Sequence, residues 1–187
     1  MSQNVLKLKN LTVSYETGTE NISAVKNISL DVDEGEVVGI IGESGSGKSS
    51  LALAITGLLP ENASTASGSI ILRNKSLSSF SENEFRTVRG EDIGFVFQDP
   101  FSSLNPTLTV YKHFKYSQFR KGSISDKKIF SLLRSTGFVD PEQIMQKYPH
   151  QLSGGMAQRV CIALAAIGSP SLIIADEPTS ALDAALR

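Results

Sequence analysis

Residues 42–49 read GESGSGKS, and this string constrains the fold more than any other part of the chain. It matches the pattern G-x-x-x-x-G-K-[ST]. Before it, residues 37–41 form an unbroken apolar run that suits a strand buried on both faces. After it, residues 50–59 are small and apolar, a helical stretch that Pro60 ends. Strand, glycine-rich turn and helix in that order leave little choice of local geometry. Glycines at 42, 45 and 47 let the backbone curl so that its N–H groups converge on phosphate oxygens, and the helix N-terminus adds positive potential. Lys48 supplies a point charge to β- and γ-phosphates, and the Ser49 hydroxyl suits a magnesium ion. The expected triphosphate-binding residues are Gly42, Glu43, Ser44, Gly45, Ser46, Gly47, Lys48, Ser49 and Ser50.

The rest of the pattern extends that unit into an α/β fold. Leu6 and Leu8, then Leu11, Val13 and Tyr15, alternate with polar residues, and Ile28, Leu30 and Val32 do so again. A turn is expected over 16–21, and further strands over 69–72 and 93–97. Residues 172–175 form a second buried-strand run, preceded by a helical stretch over 156–167. From Pro100 to Pro149 the pattern is helical, with breaks near Gly122, Gly137 and Pro141. Buried strands alternating with helices predict a largely parallel central sheet. The 187 residues carry a net charge of −1, which excludes a bulk electrostatic case for nucleic acid. Residues 101–150 hold eight basic and three acidic side chains, a surplus that suits a solvated helix face, a partner or lipid headgroups. A single cysteine, Cys161, and two histidines argue against disulfides and structural zinc. Residues 1–10 lack the apolar core of a signal peptide, and no run approaches the ~18 apolar residues of a membrane span.

A second acidic site closes the buried run 172–175. Asp176 and Glu177 stand where that strand ends, the edge at which open α/β sheets bind ligands. Asp176 would reach the magnesium ion and Glu177 would polarise an attacking water. The string LSGGMAQR at 152–159 adds a helix start: Ser153 can cap it, and Gly154 and Gly155 let it approach an anion closely. The guanine-recognising pattern N-K-x-D is missing; the nearest string, Asn74 to Leu77, lacks the aspartate.

Together, 42–49, 152–159 and Asp176-Glu177 resemble the ATPases of ABC transporters, over essentially the whole chain. The resemblance implies a P-loop NTPase core with a mostly parallel sheet, an N-terminal antiparallel β-subdomain and an inserted helical subdomain. The core would be 1–99 with 152–187, and the helical subdomain 100–151. It implies ATP and Mg2+ as ligands, with Lys48, Gln98 and Glu177 catalytic and Ser49, Gln98 and Asp176 on the metal. Tyr15 matches the aromatic that stacks on adenine, and 180–183 the D-loop that crosses a dimer interface. Ser153, Gly154 and Gly155 would face the γ-phosphate held by a second ATPase subunit in a head-to-tail dimer. FQDPFSSLNP at 97–106 and YPHQLSGGM at 148–156 are similar to the importers of dipeptides, oligopeptides and nickel. The implied partners are two membrane permeases and, indirectly, an extracytoplasmic solute-binding protein, with no nucleic acid. The chain would sit peripherally on the cytoplasmic face of the membrane.

Some residues depart from that pattern. Ala157 stands where the importer branch usually has arginine, which would alter interface charge. The chain ends at Arg187, soon after the D-loop, so a cassette incomplete at its C-terminus and lacking the switch-loop histidine is expected. By position neither His113 nor His150 replaces that histidine; both are expected at the surface or in packing, and Cys161 in the core. Two other readings stay open: a nucleotide-binding fragment without turnover, and a soluble ABC ATPase acting on nucleic acid or ribosomes.

Overall fold

The structure is a computed structural model that describes residues 4–117 and 124–178. The chain divides into two compact units between Arg89 and Gly90.

The first unit is built on strands β1 (Asn4–Glu16), β2 (Asn21–Asp33), β3 (Ala63–Leu72) and the short β4 (Lys75–Ser76), in antiparallel order β2-β1-β3-β4. Leu6, Leu8, Leu11 and Val13 of β1 are all buried. The step from Leu8 to Leu11 would flip a side chain outward in a regular strand. Instead the register against β2 shifts between those residues, and Asn10 takes a left-handed φ of 47°. This bulge returns Leu11 to the core.

Helix α1 (Lys48–Thr56) starts two residues earlier than its sequence pattern predicts and buries Leu51, Ala54 and Ile55. It stops at Gly57 rather than at Pro60, because the Gly57 N–H closes on the Ala54 carbonyl and the Leu58 N–H on the Leu53 carbonyl. Helix α2 (Glu82–Val88) opens with a Ser81–Glu84 capping box. Arg89 follows it and donates from Nε to the Thr56 carbonyl at 2.7 Å and from Nη2 to the Gly57 carbonyl. A 2.8 Å ion pair with Glu82 fixes that guanidinium, so the end of α1 is held by a side chain from beyond α2.

One expectation is corrected here. Residues 37–41 take no strand pairing among the described residues, and Val37 and Ile41 are 96% and 98% exposed. An apolar run states a demand for burial; ladder partners must meet it. The sheet of this unit has its edges at β2 and β4, and 37–41 joins neither.

In the second unit β5 (Ile93–Val96) pairs in parallel with β6 (Leu172–Ala175), Ile93 opposite Leu172 and Val96 opposite Ala175. Between them run α3 (Pro100–Ser103), α4 (Val110–Ser117), α5 (Asp126–Ser135), α6 (Pro141–Gln146) and α7 (Gly154–Ala166). Pro141 starts α6 rather than only breaking a helix, since its ring suits a first helical position. Gly122 lies outside the described residues. Helix α7 is the hub. Ala157, Val160 and Ala163 are fully buried in one cluster with Phe114, Ile129 and Leu133. At Gly94 a Cβ would collide with the Ala165 carbonyl oxygen, so β5 lies against α7 at backbone distance. An antiparallel N-terminal sheet, a parallel pair and intervening helices make up the expected α/β class.

Candidate functional site

The first unit holds Tyr15 and the 42–50 loop. Helix α1 opens at Gly47, which has a left-handed φ of 94° and no side chain to cap the first-turn N–H groups. A Cβ at Gly47 would also collide with the Ala24 carbonyl oxygen of β2, so only glycine permits this approach. With no acidic residue in the first turn either, the helix presents bare N–H donors and its positive end. Lys48 folds back over the loop, its Nζ donating to the Gly42 and Glu43 carbonyls at 2.9 Å each. The Ser46 N–H closes on the Glu43 carbonyl at 3.2 Å. Tyr15 and Ser50 share a hydrogen bond of 2.9 Å between their hydroxyls.

These donors fit a triphosphate. Lys48 can exchange two neutral carbonyls for anionic oxygens without leaving the loop, and a charge-assisted bond is the stronger one. Among the described residues no cluster of three or more histidine, cysteine or acidic side chains could hold a metal. Magnesium binds through substrate phosphates and one or two protein oxygens, and the Ser49 hydroxyl beside Lys48 at the start of α1 is such an oxygen.

The second unit holds Gln98, 153–155, Asp176 and Glu177. Asp176 follows β6, and its N–H donates to the Val96 carbonyl at 2.9 Å, which continues the pairing with β5 by one residue. Glu177 has a left-handed φ of 46°, uncommon for a side chain of this size and a mark of local strain. Its Oε2 accepts a hydrogen bond of 2.7 Å from the Gln98 amide. Two residues 79 positions apart are thereby joined at the ends of paired strands. Ser153 caps α7, its Oγ accepting from the Met156 N–H at 3.3 Å, and no acidic residue follows in the first turn. The D-loop string at 180–183 lies outside the described residues.

Other readings gain definition. Burial, with the charge of Asp99 adding to it, pushes the Cys161 thiol up to about 12, and its Sγ donates to the Pro100 carbonyl at 3.7 Å. It is a core side chain, as expected, and not a nucleophile. Ala157 is fully buried in α7's cluster. His113 accepts at Nε2 from the Asn105 N–H and faces the Thr109 carbonyl with Nδ1, each at 2.8 Å. His150 is exposed and stacks on Tyr148 at 5.6 Å.

Sequence reasoning missed three features: the Arg89 clasp on α1, the Tyr15–Ser50 bond and Gln158. Gln158 is fully buried on α7, and neither its Oε1 nor its Nε2 has a partner among the described residues. The pairing Glu82–Arg89 could have hinted at the clasp, but its carbonyl targets could not have been guessed.

Comparison with known proteins places these features in context. The profile of a family described as ABC transporter matches residues 25–180. The dipeptide transport ATP-binding protein DppD of Bacillus subtilis is 43% identical over 190 residues, covering 99% of this chain and 57% of the relative. The oligopeptide transport ATP-binding protein AppD of the same organism is 42% identical over 188 residues, covering 98% and 57%. The chain thus spans little more than half the length of these curated relatives. Among solved structures, a dimeric ATP-binding cassette in a post-hydrolysis state with ADP and Pi superposes with a TM-score of 0.84 at 36% identity, covering 96% of this chain and 77% of that one. The cbiO1 subunit from Clostridium perfringens, part of the ABC transporter complex cbiONQ, gives 0.77 at 32% identity, covering 97% and 68%.

Proposed function

The chain belongs to the ABC transporter family, and from that premise we propose that it is the ATP-binding and ATP-hydrolysing part of a peptide importer. The observation that carries the proposal is the 42–49 loop, with an uncapped, acid-free helix start at Gly47 and Lys48 folded over it. Lys48 takes the β- and γ-phosphates of ATP, and the loop N–H groups take the remaining oxygens. By the family resemblance, Ser49, Asp176 and Gln98 would be the residues to hold Mg2+, which when bound would offset phosphate charge. Glu177 orients the attacking water, and its bond to the Gln98 amide steadies its carboxylate. Tyr15 stacks on the adenine.

The importer reading draws on the names of the relatives, which are peptide transport ATP-binding proteins. Nickel and metal chelates, also within the branch that the sequence resembles, find no support in those names. A second ATP-binding subunit, arranged head to tail, would bring its nucleotide to the capped start of α7 at 153–155. Two permeases would convert that dimer's closure into transport, with a solute-binding protein delivering cargo on the far side. A peripheral place on the cytoplasmic face belongs to the same reading and rests on the relatives' role as transport ATP-binding proteins; no helix among the described residues is long and apolar enough to cross a membrane.

Steady-state ATP hydrolysis by the assembled transporter tests this reading. Glu177→Gln should bind MgATP like the parent and lose turnover by about 100-fold or more. Unchanged turnover in that variant would remove Glu177 from the reaction and the hydrolytic mechanism with it.

A further inference from the structure

Helix α1 carries the phosphate-binding loop at its start, and its nine residues put its other end roughly 13 Å away. That distant end is gripped from outside the helix. The last carbonyls of any helix have no partner one turn on. Here the Thr56 and Gly57 carbonyls accept from the Arg89 guanidinium, the first from Nε at 2.7 Å and the second from Nη2. Thr56 is only 1% exposed, so water has little access to replace that bond.

The guanidinium is itself held in place. Glu82 accepts from it at 2.8 Å on Oε1 and 3.0 Å on Oε2, and it lies over the Phe85 ring at 5.2 Å. Phe85 also closes on the turn that ends α1. Gly57 has a left-handed φ of 63°, and a Cβ there would come within 2.7 Å of the Phe85 ring. Glu82, Phe85 and Arg89 thus converge on one turn of another helix. At the loop end α1 is seated against the sheet, where Gly47 approaches the Ala24 carbonyl of β2. The helix is therefore fixed at both ends without any ligand.

We propose that Arg89 is a positioning residue for the triphosphate: by fixing the far end of α1, it keeps the N–H groups of the helix start in the arrangement that the phosphates require. This rests on the reading of 42–49 as the phosphate site. Arg89 acts only through the helix. With the clasp gone, α1 can rock and its last turn can fray, and binding must then also supply the free energy of ordering it. Linkage makes the effect reciprocal: a loop that needs α1 ordered will, once occupied, order α1.

Two measurements on the protein with its partner subunits, well below its melting temperature, test the proposal: equilibrium binding of MgATP and of magnesium tripolyphosphate, and amide hydrogen exchange. Arg89→Ala should weaken both ligands by the same factor, about fivefold, the lower end of ordinary coupling between sites. Equal loss is expected because α1 serves the phosphates and not the base. The Gly57 and Leu58 amides close the end of α1. In Arg89→Ala they should exchange faster than in the parent, and slow again when MgATP binds. Arg89→Lys keeps the charge but not the fork that spans two carbonyls and a carboxylate, so it should recover only part of the affinity. Glu82→Gln should shift both affinities in the same direction by less. A folded Arg89→Ala protein with a lowered melting temperature and parent affinities would overturn the proposal, since the clasp would then serve stability alone. So would a loss confined to ATP, or amides that stay fast with MgATP bound. Should Arg89→Ala not fold, parent affinity for tripolyphosphate in both Arg89→Lys and Glu82→Gln overturns it. If the parent itself binds neither ligand, the phosphate-loop reading falls and the proposal with it.

Discussion

Replacing Gln158 by methionine should stabilise the protein. The side chain is fully buried on α7, and its carboxamide meets no partner among the described residues. A buried amide left unpaired costs roughly 1–3 kcal/mol of desolvation. Methionine has nearly the same length and volume on a similarly flexible stem, so the exchange removes the polar atoms without opening a cavity. The whole penalty should therefore be recovered, about 1–3 kcal/mol. For a chain of 187 residues, each kcal/mol moves the melting temperature by roughly 2–4 °C. Thermal melts followed by circular dichroism should show Gln158→Met unfolding about 2–12 °C above the parent, with Gln158→Ala below it because of the cavity. A Gln158→Met protein that melts below the parent would refute the reasoning, since the carboxamide must then have a hydrogen-bond partner in solution that α7's packing does not provide.

Further outcomes follow from burial and close contact. The Cys161 thiol, raised from 9.0 to about 12 by burial and the Asp99 charge, ionises in the unfolded chain before the folded one. Its contribution is complete below pH 9 and falls by about 1.4 kcal/mol per pH unit as pH rises towards 12. Urea midpoints at pH 8, 9 and 10 should drop faster for the parent than for Cys161→Ala, and parallel curves would contradict the assignment. Gly94→Ala drives a methyl group into the Ala165 carbonyl and must push β5 away from α7. A loss of about 1–3 kcal/mol is expected in denaturant titration, and an unchanged midpoint would show the contact to be looser than described.

How much of this was legible beforehand depended on whether the signal was local. The phosphate loop and the cap at Ser153 are short-range chemistry, in which spacing alone puts donors and glycines in place. The β1 bulge was implicit too, since Leu6 and Leu8 followed by Leu11 and Val13 changes phase by one residue. Residues 37–41 show the opposite case. Their hydrophobicity is evident, but pairing is a property of partners that no window of sequence contains. The bonds Tyr15–Ser50, Arg89–Thr56 and Gln98–Glu177 join residues 35, 33 and 79 positions apart. Each is made by a side chain that need not follow any period, so only the folded chain reveals it.

The central claim, that the 42–49 loop grips a nucleoside triphosphate through Lys48, is tested most directly by calorimetric titration of MgATP into the parent and into Lys48→Ala. The parent should bind saturably at one site per chain. In the variant the Gly42 and Glu43 carbonyls lose the ammonium that joins them and the phosphates lose their cation. Affinity should fall by about tenfold or more, as removal of a charge-assisted bond predicts. Equal affinity in the two proteins would contradict the claim.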